Sequence, residues 1–439
     1  MNKNIIKGRQ ILELARLEMG ESIYKNAVVL YQKAIEIFVH ENWPQGQIEA
    51  LCGIASVTKI QGNNKQALTI FRQALSISTE HKIHTLEASI LRHIGNIFFS
   101  SGEYEKSKTY LLQALDLHEK THDNIEKGRL YESLGTLYLV SSQYQKALQC
   151  YQKSLDLHRQ TECKRSEGIA LGNIGNLYVH QSKTQQASQY LHEALKIHRE
   201  IGNRRSESIT LVNIGNLYLA IGSLVKAKRY FELACTIHQE IGNRRIEGVT
   251  LGNLGCSLRG LGLYDSAIEK FKAAIVIHLE VNDKKSHGLN VGNLGDTYFQ
   301  LQEHQKALVY LQQAVEICDE IGFLIGAGAF RGSLGLLKAR QGYINEAYKI
   351  FAKGQERMHV HPVEYAKFLC KQAMAYSYVP DLKGIEKLLN QITAIIKNLP
   401  IYQTSDLGVL LQKTDRRLHE IGINCDLQRH NDKSSTLPL

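Results

Sequence analysis

Residues 164–203 read KRSEGIALGNIGNLYVHQSKTQQASQYLHEALKIHREIGN, and the same arrangement returns 40 positions later and 40 positions earlier. Glycine stands at 95, 135, 175, 215, 255, 295 and 335. Alanine stands at 27, 67, 147, 187, 227, 267, 307 and 347, with Ser107 in the one gap. A third series runs Ala34, Ala74, Ala114, Ser154, Ala194, Ala234, Ala274, Ala314 and Gly354. No insertion breaks the frame, so nine units cover about residues 1–360 and should stack alike.

Within the quoted unit the apolar spacing is helical. Leu171, Ile174, Gly175 and Tyr178 follow i, i+3, i+4, i+7 and predict a first helix over about 167–181. Ser182 and Lys183 make a turn, a place taken by Gly62, Gly102, Gly222, Gly262 and Gly342 in other units. A second helix over about 185–201 points Ala187, Leu191, Ala194 and Ile197 inward and stops at Gly202, which suits the left-handed position after a helix. One such hairpin cannot bury its own apolar face, so stability must come from its neighbours.

Composition agrees with this reading. Of 439 residues, 43% are hydrophobic and 22% charged, and the five prolines leave residues 45–361 without one, whereas a β-rich chain would need prolines in its turns. The eight cysteines (52, 150, 163, 235, 256, 318, 370 and 425) form no C-x-x-C pair and read as free buried thiols. The N-terminal stretch lacks an apolar leader core and no 18-residue apolar run occurs, so the expected location is the cytoplasm, without membrane insertion. In the segment 361–423 the register fades into a degenerate hairpin (361–378 and 381–399) and a capping helix (405–421), and 424–439 is expected to be disordered.

Leu171, the Ile174-Gly175 pair, Tyr178, and then Ala187, Leu191 and Ala194 form a pattern that resembles the tetratricopeptide repeat, over about 80% of the chain. The period of 40 departs from the usual period of about 34, and the usual closing proline is missing. First helices of the GNIGNLY kind (172–178) most resemble those of Pins-type spindle-orientation proteins, kinesin light chains and many bacterial regulators. The resemblance implies an all-α, right-handed superhelical solenoid of antiparallel helix pairs. It also implies a concave groove, in which such relatives hold extended peptides with asparagines.

Helical angles place the candidate groove. With Leu171 at 0° and about 100° per residue, Ile169, Asn173, Asn176 and His180 fall at about 140–200°, opposite the packing seam. Equivalent positions are Asn96 in an earlier unit, then Ile209, Asn213 and Asn216, Val249 and Asn253, and Leu289, Asn293 and Asp296. A carboxamide can accept from a peptide N–H and donate to the next C=O, so such a ladder can hold a backbone of any sequence while the apolar neighbours select side chains. The alternative is that the asparagines bridge adjacent repeats or only solvate the inner wall.

A second ladder is basic: Lys164-Arg165, Arg204-Arg205, Arg244-Arg245 and Lys284-Lys285, expected in the loops between hairpins. With the net charge of +10 it could form an edge for an acidic partner or for phosphates. The competing reading is local pairing with Glu167, Glu207 and Glu247. The stripe between 169 and 300 is nearly uncharged, which argues against nucleic acid inside the groove.

Histidines at 118, 158, 198, 238 and 278 repeat with the array, and neighbours about 10 Å apart cannot share one ion, so they read as packing residues. His118 to His122 matches H-E-x-x-H, but His122 aligns with Gly202 and Gly242, where the helix ends. His359 and His361 flank Val360 without a third ligand. No metal site and no cofactor is predicted, and no phosphate loop, nucleophile elbow or dinucleotide fingerprint appears, so an enzyme is disfavoured. The leading expectation is a scaffold or adaptor that takes a partner's peptide in its groove. The alternatives are a peptide-sensing regulator, or a nucleic-acid-associated factor using the basic edge.

Overall fold

The computed structural model describes residues 2–20, 23–119, 123–355, 358–379, 381–397, 399, 405–423, 425 and 427. Among them there is no strand, and the chain is an all-α solenoid of paired antiparallel helices. It forms two compact units, residues 1–210 and 211–439.

The first unit holds α1 (Lys3–Gly20), α2 (Tyr24–His40), α3 (Pro44–Ile60), α4 (Asn64–Glu80), α5 (His84–Ser100), α6 (Tyr104–Glu119), α7 (Asn124–Val140), α8 (Tyr144–Gln160), α9 (Lys164–His180) and α10 (Thr184–Glu200). Helices of 17 residues alternate with three-residue turns, and that beat produces the 40-residue period. α9 starts three residues before the apolar spacing indicates, because its first turn is polar and carries no apolar period. Each turn follows one design. Gly202 sits at φ 66° and donates its N–H to Arg199 O, while Asn203 N–H reaches His198 O at 2.9 Å. Ser142, Glu162 and Ser182 occupy the same left-handed position at φ 54–57° although they carry a Cβ.

Over α1–α7 the described core forms three clusters, each shared between neighbouring helices. Phe71, Ala67 and Ala74 of α4, for example, lie in one cluster with Ile48 and Leu51 of α3 and Ile90 and Ile94 of α5.

α11 (Arg204–Ala220) crosses the boundary at residue 210. The second unit continues with α12 (Leu224–Glu240), α13 (Arg244–Gly260), α14 (Tyr264–Glu280), α15 (Lys284–Gln300), α16 (His304–Glu320) and α17 (Leu324–Arg340). The glycine ladder is a packing requirement: a Cβ on Gly215 would stand 2.5 Å from the Phe231 ring. At Gly255 it would stand 2.7 Å from Phe271.

The beat changes at α18 (Ile344–Gly354), which has only 11 residues. A 3-10 turn (Met358–Val360) leads into α19 (Pro362–Tyr376), α20 (Leu382–Ile396) and α21 (Asp406–His419). Because α18 stops early, α19 drops against α17: Phe368 packs where Gly354 and Gly332 carry no side chain. Apart from 425 and 427, the tail 424–439 lies outside the described residues.

Candidate functional site

The first helix of each hairpin is covered by neighbours on most sides. From Ser166 to Val179 of α9, only Ile169, Asn173, Asn176 and Val179 are half-exposed, and His180 beyond them is exposed. Asn96 holds the equivalent place in α5, and Ile209 is exposed at its place in α11. In the second unit Asn213, Asn216, Val249, Asn253, Leu289, Asn293 and Asp296 are likewise half-exposed among buried neighbours. Each unit therefore carries a row of carboxamides with apolar side chains beside it.

The asparagines differ in what holds them. Asn253 Nδ2 donates to Asn216 Oδ1 at 2.9 Å, bridging α13 to α11. Arg259 Nη1 donates to Asn293, to its backbone O at 3.3 Å and its Oδ1 at 3.2 Å, bridging α13 to α15. Asn173 and Asn176 in the first unit and Asn213 in the second make no side-chain hydrogen bond to the described residues.

Arg259 is a residue that the helical angles missed, and it corrects the picture of an uncharged stripe. It lies at the edge of the stripe, where Val179 and Leu219 stand in sister helices, and its long side chain reaches across to Asn293. Burial works against its charge, but Cys256, Asp296 and Asp406 outweigh that and hold its pKa above the ordinary value. The signal in the sequence was one charge at a position otherwise apolar.

The stripe ends at α17, whose equivalent residues are Ala329 and Ser333. Lys371 of α19 covers them, donating from Nζ to Ser333 Oγ at 2.6 Å and toward Ala329 O at 3.4 Å.

The basic pairs are not in loops. Lys164-Arg165, Arg204-Arg205, Arg244-Arg245 and Lys284-Lys285 are the first two residues of α9, α11, α13 and α15. Cations are disfavoured at a helix N-terminus, and a glutamate three residues on offsets this. Lys164 Nζ donates to Glu167 at 2.8 Å, Arg204 to Glu207 at 2.9 Å and Arg244 to Glu247 at 2.8 Å. These glutamates are buried, and each takes a second donor from the preceding helix, from Arg159, Arg199 and Gln239 respectively. Lys284 reaches Glu320 at 2.6 Å, Arg245 lies 3.5 Å from Asp283, and Lys285 sits over the Phe323 ring at 4.6 Å. Arg165 and Arg205 are exposed.

His118, His158, His198, His238 and His278 are buried at 2% exposure or less. A Cβ on Gly168 would meet the His198 ring at 2.6 Å, so the imidazole fills the space beside that glycine. His122 lies outside the described residues, and His359 and His361 are exposed. Among the described residues no group of three or more His, Cys, Asp or Glu is placed to hold a metal ion, and no helix is long and apolar enough to cross a membrane. The eight cysteines are free, and burial pushes the Cys235 and Cys370 thiols up to about 12.

The family model described as tetratricopeptide repeat matches residues 86–160, 166–240, 209–280 and 246–320. No curated protein matches the chain. Among solved structures, it is similar to the apo form of the quorum sensor NprR from B. thuringiensis, at 13% identity and TM-score 0.55, over 78% of this chain and 99% of that one. It is also similar to the Rap protein complexed with competence and sporulation factor, at 16% identity and TM-score 0.52, over 78% and 99% of the two chains. A third is the signal transduction ATPase with numerous domains that carries a tetratricopeptide repeat sensor, from Pyrococcus horikoshii, at 16% identity and TM-score 0.54, over 77% of this chain. This chain spans about half of that protein, 53% of its length. At these identities the likeness is one of fold.

Proposed function

Because the chain belongs to the tetratricopeptide repeat family, a family of protein- and peptide-binding arrays, we propose that it is a peptide-sensing regulatory protein. The observation that carries this is the row of half-exposed asparagines on helix faces otherwise buried. In this reading Asn173 and Asn176 offer both a donor and an acceptor to a peptide backbone on the first unit, and Asn213 does the same on the second. Asn216, Asn253 and Asn293 are already oriented by their neighbours and present the remaining lone pairs and N–H groups with less rotamer entropy to lose. Ile169, Ile209, Val249 and Leu289 contact peptide side chains and supply selectivity. Two of the similar solved structures are described as a quorum sensor and as a complex with competence and sporulation factor, which favours a sensor over a static adaptor.

The finer likeness to Pins-type and kinesin-light-chain repeats rests on the GNIGNLY-like first helices alone, and it supports the static adaptor as the second reading. The basic edge supports a partner role least, since Lys164, Arg204 and Arg244 are engaged by buried glutamates.

The test is recovery of peptides that copurify with the chain from its native host, identified by mass spectrometry, followed by calorimetric titration of each. Asn173→Ala, Asn176→Ala and Asn213→Ala together should preserve helicity and abolish binding. A triple variant that binds as the parent does would sink the groove reading, and a radius of gyration unmoved by a bound peptide would return the protein to the adaptor class.

A further inference from the structure

The last helix lies across the face where a ligand of the second unit would sit. α21 keeps the register of the repeat, since Asp406 and His419 fall in the window where an eleventh first helix belongs. A helix that simply extended the stack would stand three steps from α15, roughly 30 Å away at about 10 Å per step. Lys413 Nζ nevertheless reaches Gln300 Oε1 at 3.4 Å, at the end of the α15 stripe. Asp406 lies 3.9 Å from Lys367 of α19, and its charge favours the charged form of Arg259. A lysine side chain spans roughly 6 Å. The start of α21 therefore lies within electrostatic reach of Arg259 of α13 and its middle reaches the last residue of α15, so the helix turns back toward α13 and α15 in place of lengthening the array.

Its supports are uneven. α19 is sunk into the core, with Phe368, Leu369, Cys370 and Ala373 at 1% exposure or less. α21 packs extensively against α19 alone, through Leu407 and Leu411, and Arg417 Nε donates to Ser377 Oγ at 2.8 Å. Its hydrogen bond to the earlier part of the array is from Lys413, at the middle of the helix, to Gln300, while Asp406 at its start faces Lys367 of α19.

We propose that α21 is a resident occupant of the inner face of the second unit, and that a partner's amphipathic helix of like pattern exchanges with it. That pattern is an acidic residue, leucines one and five positions later, and a lysine seven positions later, as in Asp406, Leu407, Leu411 and Lys413. An occupied face lowers the apparent affinity for an outside helix by the fraction of time it stands open.

The experiment compares the full chain with a full-length variant carrying Asp406→Lys and Lys413→Glu. A fluorescent peptide of residues 404–421 is titrated into each, and hydrogen exchange is followed across 406–419. The expected result is peptide binding about tenfold or more tighter to the variant than to the parent. Exchange in 406–419 should speed up while α13 and α15 stay unchanged. Equal or absent peptide binding in both chains overturns the proposal. If the double variant fails to fold, Lys413→Gln is the substitute, and unchanged exchange of 406–419 there also overturns it. The readout is the chain's own helix, so failure here leaves the reading of the asparagine row standing.

Discussion

Replacing Ser142, Glu162 and Ser182 with glycine should stabilise the first unit, and the size follows from the turns. The three residues sit at φ 57°, 54° and 55°, where Gly202 sits at 66°. A Cβ in that left-handed conformation costs about 1–2 kcal/mol. Glycine gives back about 0.4–1 kcal/mol through the freedom of the unfolded chain, leaving a net gain of about 0.5–1 kcal/mol per turn. None of the three side chains makes a hydrogen bond that would be lost. The sites lie on separate turns, so the triple variant should gain about 1.5–3 kcal/mol. Stability in a repeat array is partly local. Hydrogen exchange of the α7–α10 amides is therefore the assay, with each substitution slowing the nearest amides about two- to fivefold. Gly202→Ala is the control of opposite sign. No atom lies within 4 Å of the Cβ it would gain, so its loss of about 1 kcal/mol reports backbone strain alone. A triple variant that exchanges faster than the parent, or a neutral Gly202→Ala, would refute the idea that left-handed strain sets these turns.

Gly215→Ala places a methyl 2.5 Å from the Phe231 ring and should cost about 1–3 kcal/mol, read as a lower thermal midpoint; no change would mean that the hairpin can open without penalty. Burial lowers the pKa of His118, His198 and His278. Below about 6.5 the unfolded chain therefore binds more protons than the folded one, and stability is lost as pH falls through that value. The charges around them are mixed, namely Asp123, Glu126, Arg92 and Lys127 at His118, Arg165 and Glu207 at His198, and Asp283, His287 and Arg245 at His278. Urea midpoints measured from pH 7.5 to pH 5 should fall, and less steeply in a His198→Leu, His278→Leu double variant; parallel curves would contradict this. Glu167→Gln removes a carboxylate that burial pushes up but hydrogen bonds from Lys164 and Arg159 hold below its ordinary value. That contribution is present above the ordinary value of 4.5 and is lost as pH falls through the lowered one. The cations are exposed and screened by solvent, so the loss at pH 7 should be about 1 kcal/mol or less, and it should vanish in the variant's acid titration.

Most of the array was legible from residue spacing. The glycines at 175 and 215 and the alanines at 187 and 227 mark where one helix must approach another, so a constant spacing of such residues is a constant geometry. The half-exposed places of Asn173 and Asn213 follow from helical angle alone, since an angle separates a face from its opposite. Angles do not carry side-chain reach. They therefore left Arg259 off the stripe and could not tell Asn213 from Asn253, whose amide is spent on Asn216. The start of each first helix was missed for a related reason: Lys164-Arg165 and their counterparts are helical but polar, and only the ion pairs with Glu167 and its equivalents reveal it.

What the sequence by itself determined is the local repeat: helix, turn, helix, and the seam along which hairpins meet. These depend on contacts between residues less than one period apart. Only the tertiary structure decided where the regular repeat ends. A helix shortened to Gly354 lets α19 settle on the small residues Gly332 and Ser333, and α21 then reaches Gln300 across 113 positions of chain. Contacts of that separation are set by the accumulated path of many helices, and no period within the sequence encodes them.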